Sequence, residues 1–333
     1  MQAPQATIAA GPRRWQKTIA IEPVAGDERP QLIAVDIYLP ASVAAAPRVL
    51  FCQPGGALDK GYFNIEPDDG DDRFSFAVQM TARGFIVIAL DHPGTGASSK
   101  PRDGFALTPQ ALSAANANAV DTLKEQLRNG QLCPALPPLA VFTAIGVGHS
   151  MGAMLTVLQQ ARFESYAAVA LLGFGTRGLP DYLPQQALVY ADDAPGAREH
   201  ISALARLQGD DPYPALAVAA GRAGAIYGGG ADRRAVAALA KIRTNLLAVA
   251  GLFSMIPGST APDCAQIDVP VFLGVGDRDI SGEAHAIPAS FSGSPEMALL
   301  VLPDTGHSHF LFPSISLLCE RLARWMDTVL PVS

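Results

Sequence analysis

The chain has 333 residues, of which 49% are hydrophobic and 17% are charged, and its formal net charge is −7. This composition excludes a disordered chain and allows one large domain or a domain with an insertion. No lysine and arginine cluster forms a basic stripe, so nucleic acid and anionic membrane surfaces are not expected as partners. No segment approaches the roughly 20 consecutive apolar residues of a membrane span.

Residues 1–13 are rich in Ala, Gln and Pro and lack the apolar core of a signal peptide. We expect a flexible lead-in there and a cytoplasmic protein, with a removed leader as the alternative. The four cysteines lie far apart without CxxC pairing, which predicts buried free thiols rather than a zinc site or a disulfide framework. The acidic run at 68–72 lacks the glutamate of a calcium loop, and we expect neither a metal nor a cofactor.

Residues 14–173 alternate between strand and helix patterns, as expected of an α/β fold. Continuous apolar runs predict buried parallel strands, and Thr108 followed by Pro109 predicts a helix start. The patterns predict strands at 31–39, 49–52, 85–90, 141–147 and 167–172, and helices at 72–83, 109–129 and 151–162.

Residues 266–333 continue this alternation, with strands predicted at 269–275 and 297–302 and a helix spanning 315–329. Between the two stretches, residues 174–265 are rich in Ala, Gly and Pro and contain few strand-like runs. This composition predicts a mostly helical insertion, with one short helix at 197–207 and one long helix at 231–252. We therefore expect a core of 14–173 and 266–333 around a mostly parallel sheet flanked by helices, interrupted by a helical insertion.

Residues 148–152 read Gly-His-Ser-Met-Gly, after a predicted buried strand and before a predicted helix. This is the context of a nucleophile elbow, in which a sharp turn presents the serine hydroxyl and glycines allow close packing. The helix that follows directs its N-terminal N–H groups towards developing negative charge. The pattern predicts Ser150 as a nucleophile.

A serine hydroxyl needs a base at neutral pH, and the base needs a carboxylate that holds its tautomer. His307 follows the last predicted strand and precedes the last helix, so its loop lies at the same sheet edge as the elbow. We favour it as the base over His309. Asp277 and Asp279 both follow the strand 269–275, and the order Ser, Asp, His is that of α/β-hydrolases.

With these residues in place, the chain resembles the α/β-hydrolase superfamily over nearly its whole length. Residues 89–98 (Ala-Leu-Asp-His-Pro-Gly-Thr-Gly-Ala-Ser) are similar to the family's strand-loop signature, and 53–57 (Gln-Pro-Gly-Gly-Ala) to its oxyanion loop. The segment 174–265 resembles the helical cap, or lid, of capped members. The family pattern of glycine, acid, any residue and aspartate implies Asp279 as the triad acid, and we expect its position further past the strand end to ease its approach to His307.

The resemblance implies an oxyanion hole formed by the N–H of Met151 and a second N–H from Gly56 or Ala57. Tyr62 and Phe63 follow the oxyanion loop, where they line the pocket or pack in the core. The expected function is hydrolysis of a small-molecule carboxylic ester or lactone. The same triad serves thioesterases, carbon–carbon bond hydrolases and cofactor-free perhydrolases, and a non-catalytic binding protein is a further alternative. The sequence leaves the oligomeric state open, a homo-oligomer included.

Overall fold

The computed structural model describes residues 13–215 and 230–331. The strands are β1 (Arg13–Ile21), β2 (Gln31–Leu39), β3 (Arg48–Gln53), β4 (Ile86–Leu90), β5 (Thr143–His149), β6 (Ala168–Leu172), β7 (Val271–Gly276) and β8 (Met297–Leu302). They form one sheet in the order β1-β2-β4-β3-β5-β6-β7-β8. Strands β3 to β8 are parallel, whereas β2 is antiparallel to both β1 and β4. The predicted α/β class with a mostly parallel sheet is confirmed.

Helices cover both faces of the sheet. The α-helices are α1 (Phe76–Thr81), α2 (Pro109–Arg128), α3 (Met151–Phe163), α4 (Gln185–Leu188), α5 (Ala194–Gln208), α6 (Arg233–Lys241), α7 (Ala248–Met255), α8 (Ala261–Cys264) and α9 (Ile315–Val329). Short 3₁₀ helices span Lys60–Asn64, Asp72–Phe74, Gly104–Ala106, Pro180–Tyr182, Ala284–Ser290 and His309–Leu311. Helices α2 and α3 pack on one face, and α1 and α9 on the other.

The central strands are apolar on both faces because helices bury both faces. Every residue of β4, β6 and β7 is buried. Helix α2 begins as predicted, since the Thr108 hydroxyl accepts the N–H of Ala111 and Pro109 occupies the first turn. The four cysteines are buried and free.

Three elements differ between prediction and structure: the edge strand β1, the helix at 72–83 and the helix at 231–252. The sequence patterns predict no strand at Arg13–Ile21, which forms the sheet edge beside β2. The helix predicted at 72–83 is a 3₁₀ turn followed by α1, because the Ser75 side chain accepts the N–H of Val78 and begins a new helix there. The predicted lead-in falls almost wholly on residues 1–12, which lie outside the described residues.

The single long helix predicted at 231–252 is wrong, because the chain leaves the helix between α6 and α7. Hydrogen bonds to the core replace helical ones in this break. The Asn245 amide donates to the carbonyl of Gly94 over 2.7 Å, and the Thr244 hydroxyl accepts the N–H of Gly96 over 3.0 Å. The backbone N–H of Thr244 also donates to the carbonyl of Ala57 over 3.0 Å.

The segment between β6 and β7 contains α4 to α8, and its residues 216–229 lie outside the described chain. Its helix α6 is linked to the acidic run at 68–72. Arg234 donates to Asp69 over 2.6 Å, and Lys241 pairs with Asp68. The acidic run therefore contacts basic side chains of the insertion. Among residues 13–215 and 230–331, no helix has the length and apolar character of a membrane span.

Candidate active site

Ser150 lies at the turn between β5 and α3, with φ 53° and ψ −120°. A non-glycine residue rarely adopts a positive φ, and such strain is concentrated at functional sites. The turn is stabilised by the Ser150 N–H, which donates to the carbonyl of Leu172 over 2.8 Å. The sequence prediction of a strand, a sharp turn and a helix around this serine agrees with the structure.

The two glycines of the motif are required by close packing. A Cβ on Gly148 would overlap the backbone of Ala153, and one on Gly152 would overlap the carbonyl oxygens of Gln53 and Pro54. These obstacles are backbone atoms, which cannot move aside as a side chain can. The glycines therefore bring the start of α3 against the end of β3 and the loop after it.

His307 reaches Ser150 from the loop that follows β8. Its Nε2 lies 2.8 Å from Ser150 Oγ, and its Nδ1 lies 2.8 Å from Asp279 Oδ1. The His307 side chain is 11% exposed, whereas that of Asp279 is 0% exposed. The structure thus brings together the three side chains that the sequence singled out, with the serine and the imidazole next to open space.

Asp279 accepts several hydrogen bonds despite its burial. Its Oδ1 also accepts the N–H of Ser281 over 3.0 Å and the Ser281 hydroxyl over 2.7 Å, and its Oδ2 lies 2.8 Å from His309 Nε2. Burial by itself raises the pKa of this carboxyl, but the charge and hydrogen bond of His307, followed by those of His309, hold the pKa of Asp279 well below its usual range. The carboxylate is therefore ionised.

Asp277 has a different position from Asp279. Its carboxylate accepts the backbone N–H groups of Asp304 and Thr305, each over 2.9 Å. The hydrogen bond from Thr305 is the largest influence, and it lowers the pKa of Asp277. Arg278 pairs with Asp304. Asp277 therefore holds the loop that leads to His307, while the imidazole of His307 contacts Asp279.

His149 lies beneath the His307 loop. Its Nε2–H donates to the backbone carbonyl of His307 over 2.8 Å. Burial, followed by the proximity of His307 and His309, holds the pKa of His149 well below its usual value, so the ring stays neutral. This bond fixes the backbone of the residue whose side chain meets Ser150.

Tyr62 and Phe63 require a correction. Both are fully buried, and the Tyr62 ring lies 4.4 Å from that of His149 and 4.6 Å from that of Phe310 between centroids. Neither residue lines the cavity at Ser150. Their expected role in substrate binding is therefore not supported, since they pack in the core below His149.

The glycine-rich loop after β3 faces the start of α3. Ala57 has φ 58°, and both Gly56 and Ala57 line the cavity together with Ser150 and Met151. Within the described residues, the N–H groups of Gly56, Ala57 and Met151 donate to no other group. Unpaired donors beside a nucleophile suit a developing oxyanion. The structure leaves Gly56 and Ala57 as alternative second donors.

Two cavities meet at Ser150 and His307. The larger, of about 210 Å³, is lined mainly by apolar side chains, among them those of Leu58, Leu179, Leu239, Leu246, Met255 and Ile280. Its lining also includes the charged residue Arg243. The smaller, of about 50 Å³, includes Met154, Gly173, Phe174, Gly175, Thr260 and Ser281 in its lining. Much of the larger lining comes from the inserted segment.

The sequence did not predict the roles of two residues of this site, His309 and Gly173. By its position in the sequence His309 is a rival base, whereas in the structure it contacts the acid. Gly173 has φ +59°, and a Cβ there would lie 3.1 Å from the His307 ring. The only sequence signals are the histidine two residues after the base and a glycine directly after a buried strand.

Comparison with known proteins agrees with this architecture. Residues 49–315, well over half of the chain, match the model of the alpha/beta hydrolase family. The chain belongs to the alpha/beta hydrolase family. A comparison of the chain with curated proteins found no match.

Solved structures share the fold of this family member at low sequence identity. A thermostable carboxyl esterase from Bacillus coagulans has a TM-score of 0.62 and 15% identity, over 94% of this chain and 98% of its own. A thermophilic esterase from Thermogutta terrifontis has a TM-score of 0.56 and 16% identity, over 94% and 99%. The thioesterase domain of the curacin biosynthetic pathway has a TM-score of 0.55 and 17% identity, over 95% and 99%. At these identities the likeness shows the fold alone.

Proposed function

We propose that this protein hydrolyses carboxylic esters through an acyl-enzyme on Ser150. The supporting observation is the continuous chain of 2.8 Å contacts from Ser150 Oγ through His307 to Asp279 Oδ1. His307 removes the hydroxyl proton as Ser150 Oγ attacks the carbonyl carbon. The carbon–oxygen bond to the alcohol then breaks, and the same proton passes from His307 to the leaving oxygen.

Deacylation repeats these steps with water as the nucleophile, and the acid is released from Ser150. Asp279 holds His307 in the tautomer with the proton on Nδ1 and stabilises the imidazolium. The N–H of Met151, with that of Gly56 or Ala57, stabilises the tetrahedral oxyanion. Each removed donor in such a hole typically costs about 10²–10³ in kcat.

The inserted segment, 174–265, serves as a cap in this proposal, because its residues line much of the larger cavity. The apolar side chains that line this cavity suit an apolar substituent of a small substrate. The second cavity, about 50 Å³ against about 210 Å³, suits a substituent of only a few atoms. The favoured substrates are therefore esters with one larger apolar side and one short side.

The direct test uses Ser150→Ala with an ester panel. Acyl and alcohol lengths are varied separately, and a lactone and a thioester of matched acyl group are included. We expect fluorophosphonate to label the wild type but not Ser150→Ala, and turnover of the best ester to fall by several orders of magnitude in that variant. Near-wild-type ester hydrolysis by folded Ser150→Ala would contradict the proposal. If the enzyme prefers the thioester, the proposed substrate class changes from esters to thioesters, with Ser150 still the nucleophile.

A further inference from the structure

The proposed triad acid contacts two histidines rather than one. His309 follows His307 by two residues, and its side chain is 0% exposed. Its Nε2 lies 2.8 Å from Asp279 Oδ2, while His307 Nδ1 lies 2.8 Å from Asp279 Oδ1. The two imidazoles thus bind the two oxygens of one carboxylate.

The donors are divided unequally between these oxygens. Oδ1 of Asp279 accepts from His307 and from both the N–H and the hydroxyl of Ser281. Within the described chain, Oδ2 accepts from His309 alone. Because the Asp279 side chain is fully buried, solvent does not replace a missing donor at Oδ2. An ionised oxygen left in this state is strongly destabilised.

The surroundings of His309 restrict it to one hydrogen bond. Its ring lies edge-on to the neutral ring of His149 at 5.8 Å between centroids, and its Nε2 contacts Asp279. Tyr62, whose ring lies 4.4 Å from that of His149, is a further ionisable group packed here. The Nδ1 of His309 is buried and has no partner among the described residues. The ring therefore acts as a single N–H donor.

We propose that His309 is a positioning residue, which holds the Asp279 carboxylate ionised and in the orientation that binds His307. This inference rests on the proposed function. Without the His309 donor, the carboxylate either rotates to share donors with Oδ2 or takes up a proton. Both changes weaken the bond to His307 Nδ1, so the correct tautomer of the base is less populated. The chemical step slows, whereas substrate binding is unaffected because His309 does not line the cavity.

The test compares His309→Gln with His309→Leu. The amide nitrogen of Gln occupies nearly the same place as Nε2 and donates without titrating, whereas Leu fills space without a donor. We expect His309→Leu to lower kcat about 10- to 100-fold with KM changed less than about threefold, and His309→Gln to retain most of kcat. The low-field proton resonance of His307 Nδ1–H is expected to shift in the Leu variant and to remain in the Gln variant.

Three outcomes overturn the inference: equal kcat loss in the Gln and Leu variants, loss of kcat in His309→Leu with an unchanged His307 resonance, and wild-type kcat in folded His309→Leu. If His309→Leu does not fold, His309→Met supplies an apolar side chain of more flexible shape. Ser150→Ala separates the two proposals. Ester turnover that survives Ser150→Ala refutes the proposed function, whereas an inactive Ser150→Ala beside a fully active His309→Leu refutes only the role of His309.

Discussion

Asp279→Asn and Asp277→Asn form a matched pair, because the same change is made two residues apart in one turn. The Asp279 side chain is fully buried and accepts three hydrogen bonds at Oδ1 and one at Oδ2. An asparagine has one oxygen that accepts and one NH₂ group that donates. Its NH₂ group must therefore point at a hydrogen-bond donor, either at the Oδ1 position or at the Oδ2 position. The two orientations of the amide define the expected magnitude.

If the amide nitrogen faces His307, the proton of His307 moves to Nε2, which then cannot accept from Ser150. This tautomer costs about 10⁴ in kcat. If the amide nitrogen instead faces His309, that ring must change its tautomer. The proton then lies on the unpartnered Nδ1, and this buried, unpaired N–H destabilises the folded state by about 1–3 kcal/mol. His307 then keeps a neutral acceptor in place of a carboxylate, and we expect kcat to fall about 10²-fold.

Asp277→Asn is expected to act on stability. Asparagine can accept from only one of the N–H groups of Asp304 and Thr305. The loss of the other hydrogen bond is expected to lower the free energy of unfolding by about 1 kcal/mol. We expect its kcat to remain within about threefold of the wild type, since the loop retains the bond from His149 to the His307 carbonyl.

The assay is steady-state hydrolysis of the best p-nitrophenyl ester by both variants, with fluorophosphonate labelling and thermal unfolding of the same samples. Ser150 is expected to label slowly in Asp279→Asn, because the acid orients the base without forming a bond to substrate. A much larger kcat loss in Asp277→Asn than in Asp279→Asn at equal stability would refute the assignment. So would an Asp279→Asn variant within tenfold of wild-type kcat.

Two further changes test the surroundings of the site. Gly173→Ala places a methyl group 3.1 Å from the His307 ring at a φ of +59°, so we expect kcat to fall at least tenfold, measured with the same ester. Asp59→Asn concerns a carboxyl whose pKa is raised to about 6 by burial and then by the nearby Asp91. A raised carboxyl pKa means that the folded state binds the proton more tightly, so the wild type loses stability as the pH rises from about 4 to about 6. Asparagine removes this loss, and we expect the variant to be more stable by about 1–2 kcal/mol at pH 7 and to show no gain below pH 4, by urea unfolding.

Each of these changes has a matched control. Gly70→Ala also meets a positive φ, +74°, but with no atom within 4 Å of the new Cβ. An equal kcat loss in Gly70→Ala would mean that general strain, not contact with His307, causes the effect. Asp210→Asn changes an exposed carboxyl. If it reproduces the pH dependence of Asp59→Asn, the burial argument is wrong.

The sequence by itself determined seven of the eight strands of the sheet, the elbow and the residues that meet there. Buried parallel strands are continuous apolar runs, and a glycine–serine–glycine turn between strand and helix has few other uses, so these features are local in the chain. Ser150, His307 and the pair Asp277 and Asp279 were identifiable because each follows a recognisable strand, and the carboxyl ends of parallel strands meet at one edge of the sheet.

Other features depend on contacts between distant segments. The break between α6 and α7 exists because Thr244 and Asn245 bond the loop after β4, which no helical periodicity reveals. Tyr62 lies in the core because the ring of His149 packs on it. The contact of His309 with Asp279 requires a turn after His307 that directs both rings to one carboxylate. Tertiary packing decided these points, since the free energy of a buried polar group depends on partners far away in sequence.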